Sequence, residues 1–241
     1  YTAKGAEAKF EGAVVLGGAL HGSQGLVPLG ITAGLDADGD GKVDADGEAG
    51  TTAGNLALRV APLHSGMETS RYAALALAAS FGGLVSGEDT EGPGLVLSGA
   101  VAFPESLSYN ASTAAPLAFP TFLTVPTDPA INGQTLTTTA VDGASFHRLS
   151  IGSVESGEWL VYFPAGKTSV ELPVPPEGFD NRLTKLDGDE LPEALLHSIR
   201  VGANGALTYD QVVAFDAANL DDLSARIDSF SVIEIERPLP Q

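Results

Sequence analysis

Apolar residues in this chain recur at every second position more clearly than at helical spacing. Asn55–Pro62 sets Leu56, Leu58 and Val60 against Ala57, Arg59 and Ala61, the period of a strand with one covered face. Phe10–Leu16, Leu26–Ala33 and Leu95–Phe103 also read as strands. Pro28 lacks a backbone donor, which predicts that the second of these lies at a sheet edge. Ser70–Phe81 is rich in Ala and Leu, which favour helix. Leu75 and Leu77 alternate, however, and the neighbours are strands, so a strand is expected. In the second half, strands are predicted over Ser145–Ile151, Glu158–Pro164, Thr168–Pro173, Leu196–Val201, Leu207–Phe215 and Ser229–Glu236. Asn204-Gly205 between two of them is a hairpin signal. Asn219–Ile227 reads as a short helix with Asn219 as N-cap and Asp221 and Asp222 in its first turn. One helical turn is expected over Leu191–Leu196, after Pro192.

Residues 108–133 are rich in Pro, Ser, Thr and Asn. Pro116, Pro120, Pro126 and Pro129 rule out a helix there and fit an extended connector. The expected organisation is two β-sandwich-like domains, residues 1–126 and 127–241. The fold class is all-β, β-sandwich modules with one or two short helices. With 241 residues and 44% hydrophobic side chains, a sizeable core is expected.

Thirteen residues interrupt this pattern. Asp36–Glu48 contains six acids. Carboxylates at every second residue, with a glycine to permit a sharp turn, let one chain wrap a Ca²⁺ ion in six to eight oxygens. Asp36, Asp38 and Asp40 fall at positions 1, 3 and 5 of such a loop, and Gly41 at position 6. The carbonyl of Lys42 takes position 7, Val43 points inward at 8, and Asp44 takes 9. Position 12 is Gly47 in place of the usual Glu, so closure falls to a flanking acid, Asp46 or Glu48. The expected metal ligands are therefore Asp36, Asp38, Asp40, Lys42, Asp44 and Glu48, holding a structural Ca²⁺. Asp187-Gly188-Asp189-Glu190 has too few spaced ligands and reads as a solvated turn.

The formal net charge is −19, with acids in excess in both halves. That disfavours nucleic-acid and anionic-membrane partners. No run of about 18 apolar residues exists to cross a membrane as a helix. Without cysteine, neither a disulfide scaffold nor a thiolate site is available. His21, His64, His147 and His197 share no metal-ligand spacing and are read as surface or strand residues. Ser23 has His21 where a nucleophile elbow has glycine. No phosphate-binding glycine loop occurs. In Glu158–Pro164, Trp159, Val161 and Phe163 share one face and Leu160 and Tyr162 the other. This predicts a central strand covered on both sides, with a sugar-stacking platform on Trp159 as the alternative.

The acidic stretch resembles the loops of EF-hands, dockerins and Asp-rich secreted repeats. Thr51–Pro62, following the strand Phe10–Leu16, is similar to the prealbumin-like, carboxypeptidase-regulatory sandwich. Gly157–Pro176 resembles the strand–turn–strand of fibronectin- or immunoglobulin-like surface modules. These resemblances imply a bacterial secreted or cell-surface β-sandwich that assigns no catalytic residue. The expected role is structural or adhesive: a Ca²⁺-stabilised extracellular protein with a protein or glycan partner, or self-association in an extracellular assembly. A carbohydrate-binding module with a Ca²⁺-ordered loop is the first alternative and a secreted hydrolase the second. The start at Tyr1 reads as a mature or trimmed fragment, with any signal or lipoprotein anchor lying before it.

Overall fold

The structure is a computed structural model. It describes residues 12–20, 26–35, 71–80, 96–102, 119–153, 157–174, 194–202, 208–213 and 227–235. Eight antiparallel strands form the main sheet: β1 (Gly12–Leu20), β2 (Leu26–Leu35), β3 (Arg71–Ser80), β4 (Val96–Ala102), β7 (Phe146–Ser153), β8 (Gly157–Pro164), β10 (Ala194–Val201) and β11 (Ile227–Glu234). Their order is β2-β1-β3-β4-β11-β10-β7-β8. A smaller sheet, β5-β6-β9, takes Ala130–Asn132, Thr135–Thr137 and Ser169–Glu171. One five-residue helix, α1 (Tyr209–Val213), lies before β11. The fold is all-β. The main sheet joins strands from both sides of the expected boundary at 126/127, because β4 pairs with β11.

Register assigns each side chain to a face, since alternate residues point to opposite sides. On the inner face the centre of the core joins Leu149, Ile151, Phe163, Leu196 and Ile233 from the main sheet to Ile131, Leu136 and Leu172 from beside and within the small sheet. The two layers are sandwich-like there. Towards β3 the inner face carries Ala76, Ala78 and Ala100, and Phe122 fills the space above those small side chains. Large against small keeps that half of the core dense.

Phe122 belongs to an irregular segment, residues 119–126, that crosses the inner face. Its carbonyls have no ladder of their own, and a buried carbonyl needs a donor. Serines supply it. Ser98 Oγ donates to Leu123 O at 2.8 Å, Ser231 Oγ to Thr124 O at 2.9 Å and Ser229 Oγ to Thr121 O at 2.9 Å. All three serines are fully buried. Arg200 reinforces the anchor from β10: its Nη2 donates to Thr121 O at 3.1 Å, and its Nε pairs with Asp228 at 2.5 Å. The segment expected to be an interdomain connector is thus a layer of the fold where it is described.

Several expectations meet the structure directly. Ser70–Phe81 contributes a strand, β3, and β2 with its Pro28 ends the described sheet order. A register shift skips Leu29, between Gly30 and Pro28, a bulge of the kind that accommodates proline. Three readings are corrected. Within the strand expected over Leu207–Phe215, Tyr209–Val213 is a helix, α1. Thr208-x-x-Gln211 forms a capping box: Thr208 N donates to Gln211 Oε1 at 2.8 Å and Gln211 N to Thr208 Oγ1 at 3.4 Å. Those reciprocal bonds start a helix that apolar alternation had masked. Asn204-Gly205, where a hairpin is expected, lie outside the described residues, and Val201 pairs with Ile227. Ala194–Leu196 belong to β10, not to a helical turn. Finally, β8 is the last strand in the described order rather than a central one.

The β5–β6 hairpin was not anticipated. Its two-residue loop is Gly133-Gln134 with Gly133 at φ 60°, the position where a type II′ turn requires glycine. Asn55–Pro62, residues 219–226 of the expected helix and residues 1–9 lie outside the described residues.

Candidate functional site

The outer face of the main sheet holds a cavity of about 320 Å³. Its floor is built from cross-strand pairs. Leu75 lies opposite Val101 on β3 and β4, and His197 opposite Arg148 on β10 and β7. Phe230 on β11 lies between them, opposite Gly99. A Cβ on Gly99 would stand 2.5 Å from Phe230 Cζ. The ring therefore lies across β4, and only glycine leaves it room. On the side away from β3, Ile199 and Phe230 continue into a cluster with Phe146 and Val201, against which Tyr209 of α1 packs.

Arg148 is the cation of this apolar surface. Its Nη2 lies 3.1 Å from His197 Nε2 and 3.4 Å from Nδ1. A guanidinium only donates, so the ring presents it a lone pair. Arg148 Nε is buried with no hydrogen-bond partner, and among the described residues no carboxylate pairs with it. An orphaned N–H in apolar surroundings is rare and costly. Arg148 also lines the cavity, so the place combines an unfilled apolar volume with a cation that no described carboxylate balances. Sequence reading missed it, because cross-strand register alone brings residues 75, 101, 148, 197 and 230 together.

On the opposite face His147 makes a second polar cluster. Its exposure is 0% and it lies on β7, the strand rather than the surface half of its reading as a surface or strand residue. Its Nε2 lies 3.1 Å from Ala165 O and its Nδ1 3.0 Å from Ser198 Oγ. A carbonyl only accepts, so Nε2 carries the proton and Ser198 donates to Nδ1. One neutral tautomer satisfies all three groups. Burial lowers the His147 pKa below its ordinary 6.5, against the opposing pull of the backbone carbonyls at Ala165 and His197. Both Ser198 and His147 are shut from solvent, so the pair serves as a core hydrogen bond.

Because the folded state holds that imidazole neutral, the unfolded chain binds the extra proton below about pH 6.5. Stability contributed by His147 is complete above that pH and falls as pH drops towards the lowered folded value. The ceiling is about 1.4 kcal/mol per pH unit for one proton. Urea denaturation of the wild type and His147→Gln between pH 7 and 5.5 should show the shallower slope in the variant, whose amide keeps a donor and an acceptor. Equal slopes would remove His147 as a source of pH dependence.

The expected metal ligands Asp36, Asp38, Asp40, Lys42, Asp44 and Glu48 lie outside the described residues, as do His21, Ser23, His64 and residues 187–190. Among the described residues no cluster of three or more His, Asp or Glu could hold a metal ion. Trp159 packs, partly buried, against the main core. Leu160 and Tyr162, on the other face of β8, are 44% and 49% exposed. No described helix is long and apolar enough to cross a membrane. Compared with known proteins, the chain matches no family model, no curated sequence and no solved structure.

Proposed function

We propose that this chain is a Ca²⁺-stabilised extracellular or cell-surface protein with a structural or adhesive role. Asp36–Glu48 is its ion site, and its partner is another surface protein, a glycan or a further copy of the chain. The observation that carries this reading is the Asp-x-Asp-x-Asp-Gly spacing of Asp36–Gly41, which starts one residue after β2 ends at Leu35. β2 is the last strand on its side of the described sheet. A cation there braces a strand that has a neighbour on one side only among the described strands. Six acids in thirteen residues repel one another without an ion, and millimolar external Ca²⁺ fills sites of modest affinity. A display role is supported by apolar residues open to solvent on both terminal strands: Ile31 on β2, and Leu160 and Tyr162 on β8. Such edges are ready templates for association.

Thermal unfolding in EDTA and in Ca²⁺ tests the reading. With Ca²⁺ at about one hundred times Kd, binding to the folded state alone contributes about 2.7 kcal/mol, or roughly 5–10 °C in a chain of this size. The Asp38→Ala/Asp40→Ala variant should melt alike in both buffers, near the EDTA value of the wild type. A wild-type melt indifferent to Ca²⁺ would sink the ion site and, with it, the argument for an extracellular address.

A further inference from the structure

We propose that the outer-face cavity is a binding site for a small organic monoanion, a carboxylate carried on an apolar body. Three observations converge on that chemistry. The volume, about 320 Å³, sits at the lower end of ligand cavities, roughly 300–1,000 Å³, so the occupant is small. Leu75, Val101, Ile199 and Phe230 supply an apolar lining, which selects an apolar body by the area it removes from water. Arg148 lines the cavity wall and has no carboxylate partner among the described residues. A guanidinium offers a carboxylate the opposite charge together with N–H donors.

The charge count narrows the class. One guanidinium balances one negative charge, and the chain as a whole carries −19, so a polyphosphate or nucleotide would meet repulsion without compensation. An uncharged apolar ligand would cover the guanidinium without balancing its charge, which is the costly arrangement. His197, beside Arg148 on the neighbouring strand, holds Nη2 and so positions the guanidinium.

Octanoate, octanamide and octylamine share one apolar body and differ in charge. Calorimetric titration of the whole chain with each, in EDTA and again in Ca²⁺, separates this site from the acidic loop. Octanoate should bind saturably in both buffers, octanamide at least about tenfold more weakly, and octylamine more weakly still. Arg148→Met keeps the apolar stem and should bring octanoate down to the affinity of octanamide. Val101→Phe fills the cavity and should abolish binding of both, so the outcome stands even if the arginine variant does not fold. Equal affinities for octanoate and octanamide would overturn the carboxylate assignment. Absence of saturable octanoate binding up to about 10 mM would overturn the site, as would a Val101→Phe variant that binds octanoate like the wild type.

Discussion

Arg200→Ala should lower the free energy of unfolding by about 3 kcal/mol, one of the two largest losses expected from a single side chain here. The magnitude follows from what is left behind. Asp228 is buried, and its carboxylate accepts from Arg200 Nε at 2.5 Å. Removing one member of a mostly buried pair strands the other charge and costs about 3–5 kcal/mol. The pair's side chains are 17% and 10% exposed, which argues for the lower end. The same change also removes donors from Thr121 O and Ser229 Oγ, loosening the segment that crosses the inner face. Trp159 is the only tryptophan and packs against the main core, so its fluorescence reports urea unfolding. The double variant Arg200→Met/Asp228→Leu should recover much of the loss, because replacing both charges leaves none stranded. A single variant within about 0.5 kcal/mol of wild type would show that the clamp contributes nothing measurable.

Leu136→Ala should cost about 2–5 kcal/mol, the range for deleting a buried leucine side chain with incomplete collapse of the cavity. Leu136 is fully buried at the centre of the short strand β6 and packs with Leu149, Leu196 and Leu172. A three-residue hairpin strand has little stability of its own. A large loss therefore means that the small sheet is the second layer of the core. A loss under about 1 kcal/mol, with Leu149→Ala still costly, would mean that the hairpin is an appendage and that the main sheet closes its core without it.

The two cases also separate what was readable in the chain. β1, β2, β3, β4, β7, β8, β9, β10 and β11 overlap runs whose apolar alternation marks them as strands, and Pro28 marked the edge at β2. Local hydrogen bonding overrode alternation at Tyr209–Val213, where the capping box of Thr208 and Gln211 commits the chain to a helical turn. The β5–β6 hairpin was hidden because three-residue strands are too short for periodicity and their turn signal, Gly133, sat in a proline-rich stretch. In Ser229–Ser231 the alternation was visible but its polarity misleads. Phe230 faces the outer cavity, whereas the serines face the covered side and bond the crossing segment. A strand buried on both faces does not announce which face is the core.

By itself, the sequence determined the class of structure, because a period of two can bury one side of a strand and little else. It also set out the acidic spacing of Asp36–Glu48, because ligands for one ion wrapped by one loop must be neighbours along the chain. Only the tertiary structure decided the rest. Arg148 and His197 are 49 positions apart, Arg200 and Thr121 79, and Ser98 and Leu123 25. Their meeting depends on strand order and register, which are set by the whole core at once. The buried serines and the unpartnered Arg148 N–H acquire meaning only when the opposite strand or the crossing segment arrives, since a polar group's cost or benefit is fixed by what it faces once water has gone.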